Sequence, residues 1–145
     1  MKTFALFAAG ILSLGPAQSL ACSCTTVVVD TSPDQEKQQW LERMAEGSET
    51  VVLARITYVA PYSDGAGNVG QYGVLEVREI FKGSPPHTIE VTTGWCVNLV
   101  LNVEEERVFF IVPGGRVQGC SEYRHAMTDE EVAMRFRKWR RESAI

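Results

Sequence analysis

Four cysteines constrain the fold of this chain more than any other feature of its sequence. They are Cys22, Cys24, Cys96 and Cys120. An even number of cysteines in a small exported domain indicates disulfide bonds. A bond between Cys22 and Cys24 would close a strained ring, so two pairings remain, and each ties the Cys-x-Cys pair to two distant points of the chain. In the chain-entropy model each such bond contributes roughly 4 to 5 kcal/mol to the stability of the fold.

The residues before Cys22 predict a secretory signal peptide. Lys2 supplies a positive charge, and residues 4–14 form an apolar run that is too short to span a bilayer. Ser19 and Ala21 are small residues at the two positions that a signal peptidase reads. We therefore expect residues 1–21 to be removed and residues 22–145 to form a single domain that is secreted to the extracellular space or the periplasm. No later segment is predicted to cross a membrane.

The charge balance argues against nucleic acid as a partner. The full chain has a net charge of −4, and loss of Lys2 with the signal peptide leaves 13 basic and 18 acidic side chains, a net charge of −5. A protein that binds nucleic acid usually carries a basic field. The one basic segment, residues 135–141, is predicted to stabilise the C-terminal end of a helix through the helix dipole. The alternative for this segment is a patch for nucleic acid or an anionic membrane.

The sequence contains no constellation that is typical of an enzyme. It has no Gly-x-Ser-x-Gly, no His-Glu-x-x-His and no phosphate-binding loop. The acidic triplets at 104–106 and 129–131 are typical of a solvated turn and of a helix start. His87 and His125 lie near neither group of cysteines in sequence, so we predict that the protein has no metal site of its own and no cofactor.

Helix signals stand near both ends of the predicted domain. Ser32, Pro33 and Gln35 form a capping box with proline in the first turn, and Gly47 ends the helix that they start. A second capping box at residues 128–131 starts the last helix. The apolar residues of that helix recur at helical spacing, at Val132, Phe136 and Trp139.

The region between the two helices is predicted to be mainly β. Alternating or β-branched residues predict strands at 50–59, 73–81, 87–93, 107–112 and 116–120, with a further extended segment at 25–29. Loops or turns are expected at 62–70, 82–86 and 113–115, and a short strand or turn at 97–103. Five or so short antiparallel strands with flanking helices fit a closed five-stranded barrel of the OB type.

A set of short motifs follows in order along most of the predicted domain. These motifs are Cys22-Ser23-Cys24, Val51-Val52-Leu53-Ala54-Arg55, Val77-Arg78-Glu79-Ile80-Phe81-Lys82-Gly83, Cys96 just after a strand, Phe109-Phe110-Ile111-Val112, and Cys120 after the last hairpin. In this order they resemble the N-terminal domain of the tissue inhibitors of metalloproteinases, a netrin-type module on an OB barrel. The resemblance implies disulfides Cys22–Cys96 and Cys24–Cys120.

The resemblance also implies a mechanism of inhibition. It implies that the protein is a monomer and that its partner is a zinc metalloprotease. The α-amino nitrogen and carbonyl oxygen of Cys22 would chelate the zinc of the target enzyme and displace its water. An α-amino group titrates near ~8, so the metal displaces a weakly held proton. Ser23 would enter the specificity pocket of the enzyme. The remaining contacts of this implied site come from Cys24, Thr25, Thr26, Gly94 and Trp95.

Two alternatives remain open at the level of sequence. The chain lacks the third disulfide of the inhibitors, has Thr25 and Thr26 where a proline is usual, and has Val97 where a glycine is expected. A non-inhibitory netrin-type module that binds proteins or serves the structure of the cell envelope is therefore the second reading. Residues 19–22 also resemble a lipoprotein signal, and a lipid on Cys22 would consume both its amine and its thiol. The even number of cysteines argues against lipidation.

Overall fold

A computed structural model describes residues 33–67, 69–94, 99–118 and 127–143. The elements in chain order are helix α1 (Pro33–Glu46), strands β1 (Thr50–Ser63), β2 (Val69–Lys82), β3 (Thr88–Thr92), β4 (Glu106–Val112) and β5 (Arg116–Gln118), and helix α2 (Asp129–Ser143). The prediction of a mainly β chain with a helix before and a helix after the strands is confirmed. The four cysteines, the predicted signal peptide, Ser32 and the predicted extended segment at 25–29 lie outside the described residues.

The five strands form one sheet that closes in a ring in the order β1-β2-β3-β5-β4, with β4 returning to β1. The expectation of antiparallel strands is wrong for one pair of neighbours: β3 and β5 are parallel and meet at the pair Thr92↔Arg116, whereas the other neighbouring strands are antiparallel. The register shifts on the way round the ring. Paired residues can be followed from Thr50 of β1 to β4, β5, β3 and β2 in turn. This path returns to β1 near Ala60, roughly ten residues further along the strand than where it began. Such a stagger is what tilted strands need in order to close.

The predicted loop at 62–70 is longer than the turn in the structure. Tyr62 pairs with Gly70 and Ser63 with Val69, so β1 and β2 both extend into it. The turn that remains contains Asp64, whose carboxylate accepts the Ala66 N–H at 2.9 Å. Gly65 and Gly67 lie in this turn, as the composition predicts, whereas cross-strand pairing brings both ends of the predicted loop into the strands. The ambiguous segment 97–103 is no strand over its described residues 99–103, and a turn follows at Glu104, which has φ of 74°.

Two layers of apolar side chains hold the fold together, one inside the ring and one between the sheet and the helices. Along β4, Phe109 and Ile111 point into the ring, whereas Val108 and Phe110 face the helices. The predicted buried strand therefore has both faces covered. The helix layer comprises Trp40, Leu41, Met44 and Ala45 of α1 with Val132, Ala133 and Phe136 of α2.

The apolar face predicted for the last helix is confirmed at Val132 and Phe136, which are buried. Trp139 stacks on Phe136 but is 39% exposed, so it lies at the edge of this layer. The predicted cap is also present, because the Thr128 hydroxyl accepts the N–H of Glu131 at 3.1 Å.

The C-terminal end of α1 is tied to the sheet by hydrogen bonds. Gly47 donates its N–H to the carbonyl of Arg43, which confirms the predicted end of the helix. The ammonium of Lys82, at the end of β2, donates to the carbonyl of Ala45 at 2.7 Å and to that of Ser48 at 2.6 Å. A cation at this end of a helix satisfies free carbonyls and offsets the dipole.

The basic segment 135–141 lies in α2, with Arg140 and Arg141 in the last turn as predicted. The structure adds an ion-pair role that the sequence did not indicate. Arg137 and Arg140 both donate to the carboxylate of Glu79 on β2, at 2.9 and 3.0 Å. The hydrogen bond from Arg137 lowers the pKa of Glu79 below its ordinary value of 4.5, against an opposing effect of burial.

This contact predicts a pH-dependent loss of stability in Glu79→Gln. A carboxylate whose pKa is lowered in the folded state stabilises the fold above the pKa of the unfolded chain, and this contribution disappears as the pH falls through the folded pKa. We expect Glu79→Gln to have a lower Tm than the wild type at neutral pH, and the difference to shrink between about pH 5 and about pH 3.

Thermal unfolding across this pH range measures the effect. Glu142→Gln on the same helix is the control, because Glu142 is exposed and its contact with Lys138 is 3.9 Å long. Its Tm should follow that of the wild type throughout. A Tm difference for Glu79→Gln that stays constant with pH would contradict the assignment.

Candidate functional site

Of the predicted contact residues, Gly94 lies within the described part of the chain. It follows β3 and is half-buried. A Cβ atom built on Gly94 would meet no other described atom within 4 Å. The other predicted site residues, Cys22, Ser23, Cys24, Thr25, Thr26 and Trp95, lie outside the described residues, as do Cys96 and Cys120 of the predicted disulfides.

The strands that lead to Cys96 and Cys120 are neighbours in the ring. Thr92 of β3 pairs with Arg116 of β5 in parallel, and the N–H of Thr92 donates to the carbonyl of Gly115 at 2.9 Å. Cys96 follows Thr92 by four residues, and Cys120 follows Arg116 by four residues. Four residues span at most about 14 Å. Both cysteines are therefore tethered to adjacent points, which we call the β3–β5 end of the ring (residues 92–94 and 116–118).

The β5 side of this end is held against α1. The side-chain oxygen of Gln118 accepts a hydrogen bond from the Ser48 hydroxyl at 3.1 Å. That hydroxyl also donates to the carbonyl of Met44 at 2.7 Å, and Ser48 is buried. The residue two positions before Cys120 is thus anchored to the end of a helix.

The β3 side is held by Gln71, a residue of β2 that the sequence analysis did not identify. Its carbonyl accepts the N–H of Thr93 at 2.8 Å, and its own N–H donates to the Thr93 hydroxyl at 2.9 Å. Its side-chain amide reaches Leu101, accepting the Leu101 N–H at 2.7 Å and donating to the Leu101 carbonyl at 3.2 Å. One residue therefore joins the two chain segments on either side of 94–100. We call this set of hydrogen bonds the Gln71 clamp.

Two glycines beside Gln71 allow these segments to come close. A Cβ atom on Gly70 would lie 1.9 Å from the Thr93 carbonyl oxygen, and one on Gly73 would lie 2.7 Å from Cδ1 of Leu101. Glycine inside a strand often marks such a close approach. The spacing Gly70-Gln71-Tyr72-Gly73 is the available sequence signal for this approach, whereas composition places Gly70 in the predicted loop at 62–70.

A second surface feature lies on the outer face of β1, β2 and β3. Tyr58 is 53% exposed, and its ring centroid is 6.2 Å from that of Tyr72. Burial raises the pKa of Tyr72, and a hydrogen bond to the carboxylate of Glu90 raises it further. Exposed tyrosines with a polar neighbour are common in protein interfaces.

The described ranges contain no group of three or more histidine, cysteine, aspartate or glutamate side chains that could hold a metal ion. None of their helices is long and apolar enough to cross a membrane. Comparisons of the chain with protein-family models, with curated proteins and with solved structures found no match.

Proposed function

We propose that this chain is an exported, disulfide-bonded module of the metalloproteinase-inhibitor type on an OB-like barrel, and that it inhibits zinc metalloendopeptidases without catalysis. The observation that carries the proposal is the parallel pairing of β3 and β5 at Thr92 and Arg116. This pairing tethers Cys96 and Cys120 to adjacent points of one ring, as a clamp on a Cys-x-Cys segment requires.

The geometric requirement follows from covalent distances. The Cα atoms of Cys22 and Cys24 can be at most about 7 Å apart, because one residue separates them. Each disulfide adds a Cα–Cα distance of about 5.5 to 6 Å. Their two partners must therefore lie near each other, which the four-residue tethers from Thr92 and Arg116 allow. These distances favour neither pairing over the other, and the pairing Cys22–Cys96 with Cys24–Cys120 is what the resemblance implies.

The mechanism is binding by a held amino end. The free amine and carbonyl of Cys22 coordinate the zinc of the target enzyme in place of its water, which removes the nucleophile that the enzyme would use. Ser23 fills the specificity pocket, and Thr25 and Thr26 follow the cleft. Gly94 contacts the enzyme at the end of β3, and Trp95, the next residue in sequence, supplies an aromatic contact. Two disulfides hold the segment in its bound shape and reduce the entropy lost on binding.

An extension of the amino end by one alanine tests this mechanism. The disulfide-bonded protein that starts at Cys22 and the extended form are assayed against a panel of purified zinc metalloendopeptidases with a fluorogenic peptide substrate. We expect the native form to inhibit at least one enzyme and the extension to weaken that inhibition on the order of a hundredfold, since chelation worth about 3 kcal/mol is lost. Equal potency of the two forms would refute chelation through the amine.

Inactivity of both forms across the panel would favour the second candidate, a non-inhibitory module that binds another protein. The observation that favours this candidate is the exposed Tyr58, which lies on the outer face of the sheet beside Tyr72, itself hydrogen-bonded to Glu90. Intact-mass analysis of the exported protein separates the lipoprotein alternative. A mass equal to residues 22–145 less four thiol hydrogens supports two disulfides, whereas an added lipid mass would refute the inhibitor mechanism.

A further inference from the structure

We infer that Gln71 is the positioning residue of this site, and that its side-chain amide sets how long a bound protease stays on the β3–β5 end. The inference rests on the proposed function for its binding part. Its structural part concerns the contact of Gln71 with Leu101 and can be tested whether or not the chain inhibits a protease.

The side-chain contact satisfies both backbone groups of one residue. The oxygen of the Gln71 amide accepts the Leu101 N–H at 2.7 Å, and its nitrogen donates to the Leu101 carbonyl at 3.2 Å. A primary amide offers a donor and an acceptor side by side, as a paired strand would. Leu101 is buried at 2% exposure, so the hydrogen bonds lie where water competes little.

The main chain of the same residue holds the other segment. The Gln71 carbonyl accepts the N–H of Thr93, and the Gln71 N–H donates to the Thr93 hydroxyl; Thr93 is buried at 3% exposure. Gly94 follows Thr93 directly, so Gln71 makes the cross-strand hydrogen bond that immediately precedes this position. The two halves of the clamp differ in one respect that an experiment can use. Side-chain substitution removes the contact with Leu101 but leaves the N–H of Thr93 bonded to the Gln71 carbonyl.

Loss of the side-chain contact should affect binding through pre-organisation. If Leu101 is released, the segment that returns from 94–100 to β4 gains freedom, and a partner that contacts Gly94 must then order it on binding. Affinity differences within one interface appear mostly in the dissociation rate. The clamp is therefore expected to slow dissociation and to leave the association rate nearly unchanged.

The test compares Gln71→Leu with Gln38→Leu. Leucine has a similar size and no hydrogen-bonding group. Gln38 is the matched control because it lies on α1, and its amide donates to Glu42 at 3.0 Å, four residues along the same helix. Two quantities are measured: hydrogen exchange of the amides of Leu101, Thr93 and Val52, and the dissociation rate from an endopeptidase that the wild type inhibits.

We expect Gln71→Leu to speed exchange at Leu101 by about tenfold or more, with Thr93 and Val52 unchanged. Dissociation from the protease should become about tenfold faster, and Gln38→Leu should change neither quantity. Gln71→Glu keeps an acceptor for the Leu101 N–H but has no donor when ionised, so its dissociation rate should fall between those of the wild type and Gln71→Leu.

Three results would overturn the inference. Unchanged exchange at Leu101 would mean that the amide does not hold the segment. Faster exchange at Leu101 with unchanged dissociation would remove Gln71 from the binding site. Faster exchange that also includes Val52 would indicate general destabilisation rather than positioning. If the wild type inhibits no protease, the proposed function fails on its own, and exchange at Leu101 alone decides whether the clamp exists.

Discussion

Gly70→Ala is expected to lower the free energy of unfolding by about 3 kcal/mol, at the upper end of the range for overpacking. The added Cβ atom would lie 1.9 Å from the carbonyl oxygen of Thr93 and 2.9 Å from its carbonyl carbon. Both atoms belong to the backbone of the residue that Gln71 holds, so neither can move away as the end of a flexible side chain would. Relief of the clash requires β2 and the end of β3 to separate. Urea denaturation of the purified variant measures the loss.

Two other glycines serve as controls for this substitution. Gly73→Ala should cost about 1 kcal/mol, because its Cβ atom meets Cδ1 of Leu101, which can change rotamer. Gly94→Ala should leave stability unchanged or raise it slightly, since the added atom meets no described atom within 4 Å and alanine has less freedom in the unfolded chain. Equal losses for Gly70→Ala and Gly94→Ala would show that the close approach of β2 to Thr93 is wrong.

Phe109→Ala should cost about 3 to 5 kcal/mol. Phe109 has no exposed surface and lies inside the ring with residues from all five strands around it. The cavity left by its side chain has little chance to collapse, because the ring is closed by hydrogen bonds between each pair of neighbouring strands. The same urea measurement gives the change in the free energy of unfolding.

Tyr58→Ala is the matched control for Phe109→Ala, as it also removes an aromatic ring from a strand. Tyr58 is half-exposed on the outer face and contacts Tyr72 edge to face, so we expect a loss below about 1 kcal/mol. Similar losses for the two substitutions would mean that the assignment of inner and outer faces is incorrect. A clear difference supports the registers of β1 and β4.

Local signals in the sequence predicted the helices well. Pro33 in the first turn and Gly47 at the end mark where α1 begins and ends to within one residue. Thr128 caps α2 as expected. These signals depend on contacts within four residues, which the sequence contains directly. The predicted strands also all exist, because alternation of side chains follows from the period of the strand itself.

The candidate site was harder to predict because its geometry is non-local. Gly70 is typical of a loop by composition, yet it lies in a strand because Thr93 approaches it. Gln71 is an ordinary polar residue in sequence, and its role follows from Leu101, which is thirty positions away. Glu79 and Arg137 form an ion pair across fifty-eight positions of the chain. The pattern of charges along a helix does not indicate a partner on such a distant strand.

The sequence alone predicted the five strands of the described residues, both ends of α1 and the start of α2. The tertiary structure decided that the strands leading to Cys96 and Cys120 are parallel neighbours, and that Gln71 joins both sides of segment 94–100. The physical reason is that these relations depend on register accumulated around a closed ring of tilted strands. A residue's neighbours within a few positions do not specify that register, whereas the packing of the ring interior around Phe109 does.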